Sequence, residues 1–170
     1  MNRKIGFGLI LGVVALGAIS FIIGNHDKKV ESFDNIHNTF TVRNDLGGFT
    51  YKYWELATKF HENGTRIIID GRCISACTFF LVDEKACVTD NAVLGFHAMT
   101  ENVGTLEHPV MGKEINKGAT EEQFSVYPVQ VQNFIKKNGG LTLDTMYLAP
   151  PELFQVVPKC DELLLRGRQG

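Results

Sequence analysis

The stretch Asn38–Asp70, NTFTVRNDLGGFTYKYWELATKFHENGTRIIID, decides the fold. Asn38 to Asn44 alternates β-branched and aromatic residues with polar ones and predicts a strand. Asp45-Leu46-Gly47-Gly48 breaks it. Phe49, Tyr53, Leu56, Ala57 and Phe60 then recur at helical spacing on one face, and Asn63-Gly64 stops that helix. Thr65 to Asp70 is a short, nearly continuous apolar run, the pattern of a strand buried on both faces of a parallel sheet. Strand, helix and strand in this order make a βαβ unit, which crosses over right-handed. The fold class expected is α/β with a parallel sheet.

Working outward, Gly71 to Leu81 is rich in small and aromatic residues and reads as a turn leading into a short helix from Ser75. ACVT (86–89), a turn at Asp90-Asn91 and AVLGFHA (92–98) follow as strand, turn and strand. Met99 to Ala119 has no periodicity and reads as a long loop. Thr120 to Gly140 has helix start and stop signals, with Pro128 either kinking the helix or marking its true first turn. The remainder reads as a short helix, a proline-marked turn, a short apolar strand and a final helix.

The other end of the chain is different in kind. Asn2, Arg3 and Lys4 precede an uncharged apolar run from Ile5 to Gly24, long enough to cross a bilayer as a helix. The basic flank holds its start in the cytoplasm. Ala18 and Ser20 fit a cleaved signal peptide, but the apolar run continues through Phe21, Ile22 and Ile23, which favours an uncleaved anchor. Either way the rest of the chain is exported. Residues 1–24 are thus the anchor or signal, 25–37 a polar linker, and 38–170 one domain of ordinary size. With 17 basic and 19 acidic residues the net charge is −2, and no basic stripe interleaved with aromatics points to nucleic acid. Cys73, Cys77, Cys87 and Cys160 fit disulfides in an oxidising compartment. A zinc site lacks a second close Cys/His pair. The expected bridge joins Cys87 to Cys73 or Cys77, because a strand through Val88 returns beside the helix that Ser75 begins. No metal and no cofactor is expected.

Gly47-Gly48 and Ser75 each follow a strand and precede a helix, so both lie at the carboxyl edge of a parallel sheet, where sites of open α/β folds are found. Backbone N–H groups of Gly47, Gly48 and Ala76 suit a developing negative charge. Ser75 is a nucleophile candidate, and His97, ending a later strand, is its candidate base. Each residue also has a plain structural use: a tight turn for the glycines, a helix N-cap for Ser75, a half-buried core position for His97. Their order and topology favour the chemical reading.

The series NDLGGF, WELATKF, RIIIDGRCISACTFFLVDEKACVTDNAVLGFHA resembles the Clp protease/crotonase superfamily, and within it the extracytoplasmic Clp-protease-like bacterial proteins. The resemblance covers roughly residues 40–98. It implies a crotonase-like fold, an oxyanion amide from Gly47-Gly48, a nucleophile at Ser75 beside Ala76, and a base at His97. Asp144 is the residue it implies as third member of the triad. Asp45-Leu46 stands where the proteases carry Ser-Pro. The related signal-peptide peptidases use a lysine base, for which Lys85 and Lys113 are the candidates. The function implied is ATP-independent serine hydrolysis of a peptide or protein substrate, in a domain tethered to the bacterial inner membrane or released to the periplasm. The rivals are a catalytically silent interaction protein of the same fold and an acyl-CoA-type crotonase enzyme. Export argues against the last, because CoA esters are cytoplasmic. Self-association into a homo-oligomer is compatible with the sequence.

Overall fold

A computed structural model describes residues 29–35, 37–105 and 110–160. The expected anchor or signal segment lies outside them. Among the described residues no helix is long and apolar enough to cross a membrane.

The fold is α/β, built on one mixed sheet. Strands β1 (Val30–Asp34), β2 (Thr39–Asp45), β3 (Arg66–Ile74), β4 (Cys87–Val88), β5 (Val93–Phe96) and β8 (Met146–Leu148) form it in the order β1-β2-β3-β5-β8, with β4 also paired to β3. The βαβ unit is as expected: β2 and β3 run parallel, connected by helix α1 (Thr50–Glu62). Strands β4 and β5 both pair parallel to β3, β4 along its first half and β5 along its second. The sheet is not wholly parallel, which corrects the expectation. β1 and β8 are antiparallel additions at its two edges. The connection from β1 to β2 is too short for a crossover, so it permits only antiparallel pairing. β1 falls within residues 25–37, so the segment expected as a linker contributes a strand to the sheet.

Periodic burial explains the core. On β3, Ile67 and Ile69 are fully buried, while on α1 the buried residues are Tyr53, Ala57 and Phe60. Those α1 rings meet Phe40 and Phe80: ring centroids are 4.6 Å apart for Phe40–Phe60 and 5.6 Å for both Phe40–Phe80 and Tyr53–Phe80. Phe80 belongs to a 3₁₀ helix, Ser75–Val82, that follows β3 directly. At Gly71 the chains of β2 and β3 come so close that a Cβ would sit 2.0 Å from the Arg43 carbonyl oxygen. Only glycine lets β3 continue through that point and reach Ser75.

The expected loop from Met99 to Ala119 instead holds an antiparallel hairpin, β6 (Thr100–Asn102) with β7 (Met111–Ile115), and the start of helix α2 (Lys117–Val126). Asn116 caps α2 by accepting the Ala119 N–H at 3.0 Å. Pro128 does not kink one helix; it separates α2 from a second, α3 (Val129–Lys137), standing at its N-cap. The C-terminal order also differs from expectation. The strand β8 comes first, followed by a turn with a cis Pro150–Pro151 bond and a 3₁₀ helix, Glu152–Gln155. The expected final helix falls on residues 161–170, outside those described.

The disulfides are Cys73–Cys77 and Cys87–Cys160. This corrects the expected pairing of Cys87 with Cys73 or Cys77. Cys73 is the penultimate residue of β3, with Cys77 one turn into the 3₁₀ helix, and the two Cα atoms are 5.2 Å apart. Cys87 starts β4 opposite Ile68, well back along β3, where the C-terminal segment reaches it. All four cysteines are bridged, which leaves none for zinc.

Candidate active site

Strand register brings the candidate residues together. Asp45 of β2 pairs with Cys73 of β3, and Ile74 of β3 pairs with Gly95 of β5. One or two residues farther on, Gly47, Ser75 and His97 leave the same carboxyl edge of three adjacent parallel strands. They line a cleft of about 700 Å³ together with Gly48, Ala76, Lys113 and Gln123. A second cleft of about 550 Å³, between Leu81, Tyr127 and Phe154, is lined by no serine, cysteine or histidine.

Ser75 has a left-handed backbone, φ +57°. For a non-glycine residue this costs on the order of 1 kcal/mol or more and persists only where the surroundings enforce it. Three features enforce it here. The Cys73–Cys77 bridge closes around the turn, with both cysteines fully buried. Thr78 Oγ1 donates to the Ser75 carbonyl at 2.6 Å. Gly47 packs against the turn from the other side: a Cβ on it would lie 2.7 Å from Ser75 Cβ and 2.8 Å from both Ala76 N and the Ile74 carbonyl oxygen.

The Thr78 bond begins a directed chain. Its proton is committed to Ser75, so its oxygen accepts from Tyr127 Oη at 2.5 Å, and Tyr127 Oη in turn accepts from Gln123 Nε2 at 2.9 Å. Burial pushes the Tyr127 phenol up to about 12, despite the opposing hydrogen bonds, so it stays a donor. Thr78, Tyr127 and Gln123 were not singled out from the sequence. The available signal was a threonine three residues after Ser75, at the spacing of a side-chain-to-carbonyl bond.

His97 is half-buried, and its Nδ1 lies 2.7 Å from the carbonyl oxygen of Ala98. A carbonyl only accepts, so Nδ1 carries a proton, and in the neutral form of the ring the lone pair is then on Nε2. That is the tautomer a general base requires. Asp144, expected to do this orienting, is exposed, and its main-chain oxygen accepts a bond from Thr142 Oγ1. The partner of His97 Nδ1 is a main-chain carbonyl rather than the Asp144 carboxylate. Among the described residues, the Ser75 hydroxyl and His97 Nε2 make no hydrogen bond, to each other or elsewhere.

The three oxyanion candidates separate. Gly47 N–H donates to Asp45 Oδ1 at 2.9 Å and is therefore occupied. Gly48 N–H has no partner among the described residues. Ala76 stands in the first turn of the 3₁₀ helix, where N–H groups have no intrahelical acceptor. Gly48 and Ala76 remain as the donor pair. Of the two lysines, Lys113 lines the cleft and Lys85 does not. Among the described residues, no three His, Cys, Asp or Glu side chains come together to hold a metal. No protein-family model and no curated protein matches the chain.

Proposed function

We propose that the protein is an ATP-independent serine hydrolase acting on peptides, built on a crotonase-like (Clp protease-like) fold. The observation that carries this reading is the enforced left-handed turn at Ser75, in one cleft with a histidine of base-competent tautomer and two free backbone donors. The two disulfides are compatible with a periplasmic or extracellular site of action. Residues 1–24 supply the membrane tether or export signal.

In this mechanism Ser75 Oγ attacks the substrate carbonyl carbon while its proton passes to His97 Nε2. The Gly48 and Ala76 N–H groups hold the oxyanion, each worth on the order of 3 kcal/mol in the transition state. Collapse of the tetrahedral species expels the amine, which takes the proton from His97. Water then hydrolyses the Ser75 ester by the same steps in reverse order of roles. Closure of Ser75 Oγ onto His97 accompanies substrate binding, as catalytic hydrogen bonds often tighten only in the complex.

The test is covalent labelling of the full-length protein, in detergent and with its disulfides intact, by an alkyl fluorophosphonate. Labelling is expected at Ser75, to be abolished by Ser75→Ala and slowed at least a hundredfold by His97→Ala. Asp144→Asn is expected to leave the rate within twofold. No labelling of folded protein would favour the silent-fold rival. Labelling indifferent to His97→Ala but lost in Lys113→Ala would replace the histidine base by a lysine.

A further inference from the structure

The carboxylate of Asp45, the last residue of β2, is 1% exposed. Its Oδ1 accepts two bonds, from the Gly47 N–H at 2.9 Å and from the Tyr53 hydroxyl at 2.7 Å. Its Oδ2 pairs with Lys29 Nζ at 3.1 Å. The same ammonium is 3.0 Å from Glu31 Oε1 on the neighbouring strand β1, and 3.3 Å from the Tyr53 hydroxyl. Two carboxyl groups therefore share one lysine, directly behind the loop that presses on Ser75.

We propose that Asp45 is a positioning residue, which holds the Gly47–Gly48 loop against the Ser75 turn, and that the protonation of Glu31 tunes this hold. The loop is anchored at Gly47, whose N–H is tied to Asp45, and this leaves the next N–H, that of Gly48, to face the cleft. The consequence for catalysis rests on the hydrolase reading above; the positioning itself does not.

The groups facing Glu31 are Lys29, Asp45 and, from α1, Tyr53. Burial first, and then the hydrogen bond to Asp45, push the Glu31 carboxyl up to about 7, against the opposing pull of Lys29. Burial and Asp45 likewise raise the Tyr53 phenol far above its usual range, so it remains a proton donor throughout. Below neutral pH, Glu31 is uncharged and Lys29 balances Asp45. Above it, a second, half-buried carboxylate appears beside Asp45, and among the described residues Lys29 is the one cation paired with the two. A carboxyl whose folded-state value is raised stabilises the closed arrangement at low pH, and this contribution is lost as pH rises through about 7. The loop is therefore held most firmly in mildly acidic conditions.

The experiment follows the amide resonances of Gly47 and Gly48 by ¹⁵N NMR between about pH 5.5 and 8.5, in the full-length chain in detergent with both disulfides intact. In wild-type protein the Gly47 amide is expected to titrate with a midpoint near 7. In Glu31→Gln that component is expected to vanish. In Asp45→Asn, if it folds, the Gly47 amide moves upfield at every pH. Fluorophosphonate labelling of Glu31→Gln should match wild type near pH 6. It should exceed it by about tenfold near pH 8, where about nine-tenths of Glu31 is ionised. A Gly47 amide that does not titrate, or that titrates identically in Glu31→Gln, overturns the proposal. Absence of labelling in wild type at every pH ends the hydrolase reading instead, and leaves the amide titration to decide the positioning role.

Discussion

Replacing Gly47 by alanine puts one methyl group where the structure has no room for it. The added carbon would lie 2.7 Å from Ser75 Cβ and 2.8 Å from the main-chain Ala76 N and Ile74 O. None of these three atoms is the end of a flexible side chain, so relief requires the loop to lift off the turn. The residue must also keep φ +87°, which costs alanine about 1–2 kcal/mol. Overpacking of this kind adds about 1–3 kcal/mol. Together Gly47→Ala should cost about 2–5 kcal/mol, a large share of a domain stability of about 5–15 kcal/mol. Gly48→Ala is the control. Its nearest contact would be Tyr53 Cε2 at 3.8 Å, ordinary van der Waals distance, so only the backbone term applies. Urea unfolding under non-reducing conditions reads both. With a slope of about 2 kcal/mol/M, Gly47→Ala should lower the midpoint by about 1–2.5 M at unchanged slope. Its Ser75 labelling should fall in parallel. A Gly47→Ala protein within about 0.5 kcal/mol of wild type, or less impaired than Gly48→Ala, would refute the claim that this glycine seats the loop on the Ser75 turn.

Two further outcomes are expected. Trypsin digestion without reduction should yield a Cys73–Lys85 peptide carrying an internal bridge, two hydrogens lighter than its reduced form, and a separate pair of peptides joined through Cys87 and Cys160; a cross-link between Cys87 and either Cys73 or Cys77 would contradict the fold around β4. Tyr127→Phe should destabilise the protein by about 1–3 kcal/mol, because it strands the Gln123 amide and removes the donor to Thr78 in a buried site. A loss below about 0.3 kcal/mol by the same urea measurement would mean that the chain of bonds behind Ser75 carries no stability.

The parts of this fold that were readable from residues alone are those where burial is periodic. Phe40 and Val42 on β2, Tyr53, Ala57 and Phe60 on α1, and Ile67 and Ile69 on β3 repeat at the spacing of their elements, and all are buried. Pairing is harder. VESFD in β1 and the three residues of β6 carry no apolar alternation, and their strand character comes from the neighbours they hydrogen-bond. The candidate site divides in the same way. Ser75, Ala76, Gly48 and His97 are marked by residue type at strand ends. The group orienting His97 is a main-chain carbonyl, which every residue owns and no side chain advertises. Asp144 is suggested by the resemblance, through its place ahead of MYLAPPEL, but it is exposed. Asp45 was visible too, as a departure from Ser-Pro, but its partners Lys29 and Glu31 reach it only because β1 joins the sheet.

The Cys87–Cys160 bridge turns a large part of this molecule into a covalent ring. It spans 73 positions in sequence, and the ring contains β5, the hairpin, both helices after it and β8. Closing a loop of that length removes about 4 kcal/mol of freedom from the unfolded chain. Its second effect concerns damage. The hairpin β6–β7 has exposed residues at Glu101, Val103 and Val110 and is a natural place for a protease to cut. A cut there opens the ring without dividing it, because Cys160 still binds the far piece to the strand beside β3. The wall of the cleft that bears Gln123 stays leashed to the half that bears Ser75 and His97. In an oxidising compartment crowded with proteases, such a molecule can be nicked and remain one body.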